Sequence, residues 1–113
     1  MSFKDLRVYQ AAQRLRDEVD RVIAKVPPQF ENEVNHVDEA ADSVLNNIAE
    51  GHAFTYPNKR KYFYQMAKGS ANEVGGGLQS FVDRGAVSQR IVFKGIGLAV
   101  VVAKILKKMI DKE

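Results

Sequence analysis

The sequence predicts an all-α protein, an antiparallel up-down four-helix bundle formed as a single domain by residues 1–113. Apolar residues recur at alternating spacings of three and four in four successive segments, which is the pattern of a helix with one buried face. Proline and glycine punctuate the chain between these segments. Four helices of similar length with short connections bury their apolar faces against one another as such a bundle.

The first predicted helix ends before the Pro27-Pro28 pair, because the residue before a proline disfavours the right-handed helical conformation. Its apolar row is Val8, Ala12, Leu15, Val19, Val22 and Val26. The second predicted helix ends at Gly51, which suits the C′ position just past a helix. Its apolar row is Val34, Val37, Ala41, Val44 and Ile48.

The third predicted helix starts near Pro57, which a first turn tolerates, and ends near Gly85. Its row is Phe63, Ala67, Ser70, Val74, Gly77 and Phe81. The fourth predicted helix has the row Ile91, Gly95, Leu98, Val102, Ile105 and Met109. Other apolar residues spread around this fourth helix, so we expect it to bury a second side against another subunit.

Glycine is frequent in the third and fourth predicted helices, where each glycine costs about 1 kcal/mol relative to alanine. We expect these glycines to let two backbones approach closely, with a local kink of the third helix as the alternative. The residues are Gly69, Gly75, Gly76, Gly77, Gly95 and Gly97.

The composition predicts a cytoplasmic protein without a membrane span. Cysteine is absent, which excludes disulfides and thiolate sites and suits a reducing compartment. The start of the sequence is charged from Lys4 onward and has no secretory apolar stretch. The longest stretches without charge are nine residues, 74–82 and 95–103, whereas a helix that crosses a bilayer needs about 20.

Charge is unevenly distributed, since residues 27–51 carry six acids and no lysine or arginine, within a chain of net charge +3. Either acidic and basic helices simply neighbour one another, or the pattern marks a binding surface. Two basic rows on helices three and four combine cations with an interleaved aromatic, which suits phosphate binding and base stacking but is also common on ordinary solvated helices. The candidate nucleic-acid-binding residues are Arg60, Lys61, Tyr64, Lys68, Lys104, Lys107, Lys108 and Lys112.

Enzyme signatures are missing from the sequence. No GxSxG frames a serine, and the glycine-rich GSANEVGGGLQS lacks the GK[ST] of a phosphate loop. His36 with Asp38, Glu39 and Asp42 has the residue types of a metal cluster, but HVDEAAD more simply indicates a solvated acidic face. We therefore expect no catalytic residue, no metal and no cofactor.

Glu50, in the motif NIAEG, lies at a predicted helix end where the helix dipole disfavours a carboxylate. We expect Asn47 and Glu50 to form a structural polar network that also takes in Ser70 or Glu73 and ties the turn to a neighbouring helix. On this hypothesis, Glu50→Gln and Glu50→Ala lower the melting temperature.

Three stretches resemble the family of 23S ribosomal RNA intervening-sequence proteins: FKDLRVYQ at 3–10, SVLNNIAEG at 43–51 and MAKGSANE at 66–73. The resemblance covers roughly residues 3–84. It implies a small bacterial four-helix bundle, usually a homopentamer, without known catalysis. The chain is also similar to the accessory variability proteins of diversity-generating retroelements, which implies a basic pentameric barrel that associates with nucleic acid and a reverse transcriptase.

The sequence departs from the family pattern at four positions. Asp38 and Glu39 stand where the family usually has two arginines, and Phe54 stands where an arginine commonly follows the AEG turn. Gly75 replaces a usual acid of the third helix. The first three changes remove cations from positions that could touch phosphate.

The sequence thus predicts a non-enzymatic homo-oligomer, a pentamer by resemblance, that associates with RNA or a ribonucleoprotein through basic helix faces. The alternative is a protein-interaction or scaffold module without affinity for nucleic acid. No small-molecule substrate is expected.

Overall fold

The computed structural model describes residues 2–113 and confirms an all-α protein with four long helices; no strand occurs in this range. The helices are α1 (Arg7–Ile23), α2 (Glu31–Ala53), α3 (Pro57–Asp83) and α4 (Gln89–Asp111). Short 3₁₀ helices at Phe3–Asp5 and Pro28–Phe30 precede α1 and α2. The molecule measures 44 × 21 × 20 Å, so all four helices lie along the long axis.

Contacts between the helices show that neighbours run in opposite directions. Ser43 of α2 hydrogen-bonds Ser70 of α3, with 2.8 Å between the hydroxyl oxygens, whereas Gly51 farther along α2 meets Tyr64 earlier in α3. The α3–α4 pair follows the same rule, since Arg60 early in α3 bonds Glu113 just past α4 whereas Gln79 late in α3 bonds Gln89. In the α1–α4 pair, Arg7 lines a cleft with Ile105 and Arg21 bonds the carbonyl of Ile91. Helices α2 and α4 each pack against α1 and α3. The bundle is therefore a square of antiparallel helices in which α2 and α4 lie diagonally opposite each other.

The core rows predicted for the first three helices are confirmed with small differences. Val26, Val34 and Phe63, at the ends of their rows, are only partly buried, and so is Gly77. In α3 the buried set extends to the neighbouring side of the helix, because α3 is covered on both flanks. The residues that the prediction missed there are Tyr64, Ala71 and Leu78.

The register predicted for α4 is wrong by one position over most of its length. Its buried row is Val92, Gly95, Ala99, Val102, Leu106 and Ile110. The predicted residues Ile91, Leu98, Ile105 and Met109 are partly buried on the flanks of this row. A helix that is apolar nearly all round fits several rows equally well, so its pattern alone does not select the face that turns to the core.

Phe93, Val100 and Val101 remain exposed on the outer side of α4, at 74%, 48% and 46% of their full accessible areas. We call these three residues the α4 apolar patch.

Gly51 is not the C′ residue of α2, because the helix continues to Ala53 and Gly51 is buried within it. A Cβ atom at this position would lie 2.7 Å from Cε1 of Tyr64 and 3.2 Å from Cβ of Phe63. The glycine is required by the close approach of α3 and not by the geometry of a helix end.

The other helical glycines divide into two groups. Close approach is confirmed for Gly77, which faces Val37 of α2, and for Gly95, where a Cβ would lie 2.8 Å from Cδ1 of Leu78. Gly75 makes an ordinary contact with Ala99, whereas a Cβ at Gly69, Gly76 or Gly97 would meet nothing within 4 Å. Helix α3 is uninterrupted across 75–77.

We expect Gly51→Ala to lower the free energy of unfolding by about 1–3 kcal/mol, because the added methyl group overpacks the contact with Tyr64. The matched control is Gly69→Ala, which adds the same methyl group in open space on α3 and should stabilise the protein by about 0.5–1 kcal/mol. Urea unfolding followed by circular dichroism measures both. Equal stabilisation by the two variants would contradict the close approach at Gly51.

Candidate nucleic-acid interface

The last three turns of α4 present lysines to solvent. Lys104, Lys108 and Lys112 are exposed, and within residues 2–113 none of them lies within ion-pair distance of an acid. Lys107 differs, since its Nζ donates to Oδ2 of Asp111 at 2.8 Å. Three of the four predicted lysines of α4 are therefore available to an anion.

Two lysines of α3 lie beside this part of α4. The hydrogen bond from Lys107 is the main reason that the pKa of Asp111 lies below its usual value, and the charges of Lys68 and Lys61 lower it further. Lys61 is exposed and Lys68 is half-buried. The structure thus brings the predicted lysines of the two helices together on one side of the bundle.

Arg60, predicted as a phosphate contact, is instead a structural link between three helices. Its Nε and Nη2 donate to the two carboxylate oxygens of Glu113 at 2.9 and 2.8 Å. Its Nη1 donates to the carbonyl oxygens of Phe54 and Thr55, just past the end of α2. The hydrogen bond to Glu113 raises the pKa of Arg60 and lowers the pKa of Glu113. Because this guanidinium group already pairs with Glu113 and two backbone carbonyls, Arg60 does not belong to the candidate interface.

Tyr64, predicted to stack on bases, is buried and cannot do so. Its ring packs against Gly51, and burial raises the pKa of its hydroxyl group. The prediction failed because a spacing of four residues advances by about 40° around a helix. Arg60, Tyr64 and Lys68 therefore do not share one face of α3. Tyr64 faces the core, and Lys68 lies on the flank beside α4.

Arg7 and Arg14 of α1 were not among the predicted residues, yet they lie on the other flank of α4. Both are exposed and line a cleft of about 260 Å³ together with Val101 and Ile105. Their spacing of seven residues places them on one side of α1, but only the packing of α1 against α4 shows which helix that side faces.

Cations concentrate at one end of the bundle, which we call the basic end. It comprises residues 4–7, 50–61 and 104–113, where the start of α1, the α2–α3 connection and the end of α4 meet. These segments contain nine lysines and arginines and four acids, whereas the rest of the chain contains eight lysines and arginines and ten acids. The positive charge of the protein therefore resides at this end.

Two acids of α2 serve the contact with α1. Arg16 of α1 donates to the backbone and side-chain oxygens of Asp38, to Asp42 at 3.0 Å and to Asp20 at 2.6 Å. Burial opposes the charge of Arg16, but the hydrogen bonds to Asp38 and Asp20 raise its pKa overall. The acid at position 38 is thus explained by a structural role; Glu39 remains exposed.

The predicted polar network is smaller than expected and does not include Glu50. Asn47 Nδ2 donates to the carbonyl and hydroxyl oxygens of Ser43, whose hydroxyl group bonds Ser70. The side chain of Glu50 is exposed and, among residues 2–113, no hydrogen bond connects it to Asn47 or Ser70. The helix continues past Glu50 to Ala53, so this carboxylate lies within an α-helical turn with its side chain exposed to solvent.

Glu73 also lies outside the network, since its Oε2 faces Nε2 of His36 at 3.6 Å on the surface between α2 and α3. Within residues 2–113, no group of three or more histidine or acidic side chains is arranged to hold a metal ion. Likewise, no helix in this range is long and apolar enough to cross a membrane.

We expect Glu113→Gln to lower the melting temperature at pH 7, because it breaks the pair with Arg60. The folded-state pKa of Glu113 lies below its ordinary value, so this stabilisation is present above the ordinary pKa and is lost as pH falls through the folded one. The difference in melting temperature between the variant and the wild type should therefore become smaller from pH 7 to pH 3. Calorimetry across this range measures it.

The control for this experiment is Glu50→Gln, which neutralises an exposed carboxylate and should leave the melting temperature unchanged or slightly higher. The role of the Arg60–Glu113 pair would be contradicted if Glu113→Gln lowered the melting temperature equally at all pH values. It would also be contradicted if Glu50→Gln lowered the melting temperature by the same amount.

Comparison with known proteins supports the resemblance in the sequence. No curated protein matches the chain. A family model described as 23S rRNA-intervening sequence protein matches residues 4–108, which includes all four helices almost to the end of α4. With nearly its whole length matched, the chain belongs to the 23S rRNA-intervening sequence protein family.

Proposed function

We propose that this protein is a non-enzymatic, cytoplasmic homo-oligomer that associates with RNA, alone or in a ribonucleoprotein, through the lysines of α4 at the basic end. The observation that carries the proposal is the separation of charge in the bundle. Lys104, Lys108 and Lys112, which pair with no acid among residues 2–113, line the end of α4, while the acidic helix α2 lies diagonally opposite. A phosphate backbone approaching α4 meets attraction, and one approaching α2 meets repulsion.

Flanking cations extend this surface on both sides. Arg7 and Arg14 border α4 from α1, and Lys61 and Lys68 border it from α3. Lysine side chains provide mobile point charges that follow a flexible backbone without demanding one geometry. Such a surface suits contacts to the sugar–phosphate chain that do not depend on sequence. The family description, which names 23S rRNA, agrees with RNA as the polyanion.

The α4 apolar patch supports the oligomer. Phe93, Val100 and Val101 carry no charge and lie on a helix whose other sides are covered by α1 and α3. A second copy of the chain that packs on this patch would remove it from water. The resemblance to the family implies a pentamer. A ring would repeat the basic end, so that weak contacts of each subunit add to a higher overall affinity.

A second candidate function is a scaffold that binds another protein through the same patch, with no affinity for nucleic acid. The apolar character of the patch is compatible with either kind of protein partner. The two functions differ in their response to RNA, which the next experiment measures.

We expect Lys104→Glu/Lys108→Glu to weaken binding to single-stranded RNA at least tenfold at low salt. The matched control, Lys25→Glu/Arg90→Glu, changes the net charge by the same amount at the opposite end of the bundle and should have a much smaller effect. Fluorescence anisotropy with a labelled oligonucleotide measures both. For the wild type, each phosphate neutralised should contribute about −0.7 to the slope of log K against log salt.

Absence of wild-type binding at low salt would rule out the RNA function and leave the scaffold function. Equal loss in the two charge variants would instead assign binding to net charge and not to α4.

We expect light scattering of the wild type to give the molar mass of an oligomer, at least twice the 12.6 kDa of one chain. Val100→Asp should shift it towards the monomer, because covering the α4 apolar patch would then also remove a carboxylate from water. The control is Met66→Asp, since Met66 is equally exposed, at 48%, but lies on α3 outside the patch. A wild type that is monomeric at micromolar concentration would exclude the oligomer.

A further inference from the structure

The α2–α3 corner of the basic end carries four aromatic residues within ten positions: Phe54, Tyr56, Tyr62 and Phe63. Two of them face solvent, since Tyr56 is 72% and Tyr62 is 56% exposed. Large exposed rings are unfavourable in water unless a partner covers them. This corner adjoins the basic surface of α4 and shares Lys61 with it, but its exposed rings need an explanation of their own.

The rings at the corner are held by one another. Phe54 and Phe63 are stacked, with centroids 5.4 Å apart and planes 5° from parallel. Tyr62 meets Phe63 edge to face, with centroids 5.2 Å apart and an interplanar angle of 84°. These contacts fix the aromatic cluster and orient Tyr62, while most of its ring surface stays open to solvent.

A cleft of about 400 Å³ opens beside Tyr62, lined by Asn58, Lys59, Tyr62 and Phe63. Its walls therefore combine aromatic surface, one amide that can donate and accept hydrogen bonds, and one cation. Nζ of Lys59 lies 5.1 Å from the centroid of Phe54, and Lys61 is exposed on the same turn. An aromatic surface flanked by cations matches a nucleotide, which has a flat apolar base and an anionic backbone.

We propose that this corner is a stacking site for an unpaired base of single-stranded RNA. The base stacks on Tyr62 within the cleft, and Lys59 and Lys61 contact the adjoining phosphates. The inference rests on the proposed function and deepens it, because it adds recognition of unpaired bases to the electrostatic contacts made by α4.

Charge argues against a second copy of the chain as the occupant. Lysine is depleted from the cores of protein–protein interfaces, yet two lysines border Tyr62 here. Two basic ends brought together would also repel each other, whereas a polyanion is attracted. The uncharged α4 apolar patch is the better surface for self-association.

The test uses Tyr62→Trp, which creates a single tryptophan because the chain contains none. Its emission can be excited separately from that of the remaining tyrosines. Adding oligouridylate should quench this tryptophan, whereas an abasic sugar–phosphate strand of equal length should bind without quenching it. Gln29→Trp, at an exposed position at the opposite end of the bundle and outside the α4 apolar patch, is the control and should report no quenching by either strand. The contrast between strands separates stacking from phosphate binding.

Affinity provides the second readout. Tyr62→Ala should weaken oligouridylate binding about 5- to 150-fold, the range found for loss of one aromatic–base stack. Tyr62→Phe, which keeps the ring, should bind within about twofold of the wild type, and binding of the abasic strand should be the same for all three proteins. Far-UV circular dichroism should show equal helix content.

The stacking site is overturned if Tyr62→Ala binds oligouridylate as tightly as the wild type and the strand does not quench the Tyr62→Trp variant. In that case the proposed function still stands if the abasic strand binds through α4. No binding of either strand at low salt overturns both. If the emission of the Tyr62→Trp variant shifts when the protein alone is diluted, the ring at position 62 lies in a contact between copies of the chain. This outcome also overturns the proposal.

Discussion

The arrangement of this bundle depends on how closely α2 and α3 approach at Gly51. Only a residue without a side chain leaves room there for the ring of Tyr64, which lies 3% exposed in the core. With Tyr64 turned inward, the rotation of α3 about its axis is set. Lys61 and Lys68 then face α4, and Tyr62 is left on the outside. One steric contact in the core thereby determines which side chains reach the surface at the basic end.

The helices could be predicted from the sequence because periodicity and punctuation are local signals, and the rows of α1 and α2 were accordingly right. The face of α4 could not, because its apolar residues surround the helix. The candidate site was predictable only in part. The exposure of the α4 lysines was predictable, but the partner of Arg60 lies 53 residues away, at Glu113. No spacing rule reveals such a pairing, nor that Arg7 and Arg14 border α4.

The acidic character of α2 has a similar long-range cause. Asp38 and Asp42 compensate Arg16, a cation that α1 places against α2 with its side chain only 15% exposed. Removing these acids would leave the guanidinium charge of Arg16 with little solvation. An acid at position 38 is therefore a consequence of the residue that faces it, and family patterns read one position at a time miss this dependence.

The concentration of cations at one end of an elongated molecule gives the bundle a permanent electric dipole roughly along its 44 Å axis. In the field of a polyanion, such a molecule experiences a torque as well as an attraction. It would rotate during diffusion until the positive pole leads, before any contact forms. The search for a productive orientation is thereby shortened, and this advantage fades as salt shortens the reach of the field to about 10 Å at 0.1 M.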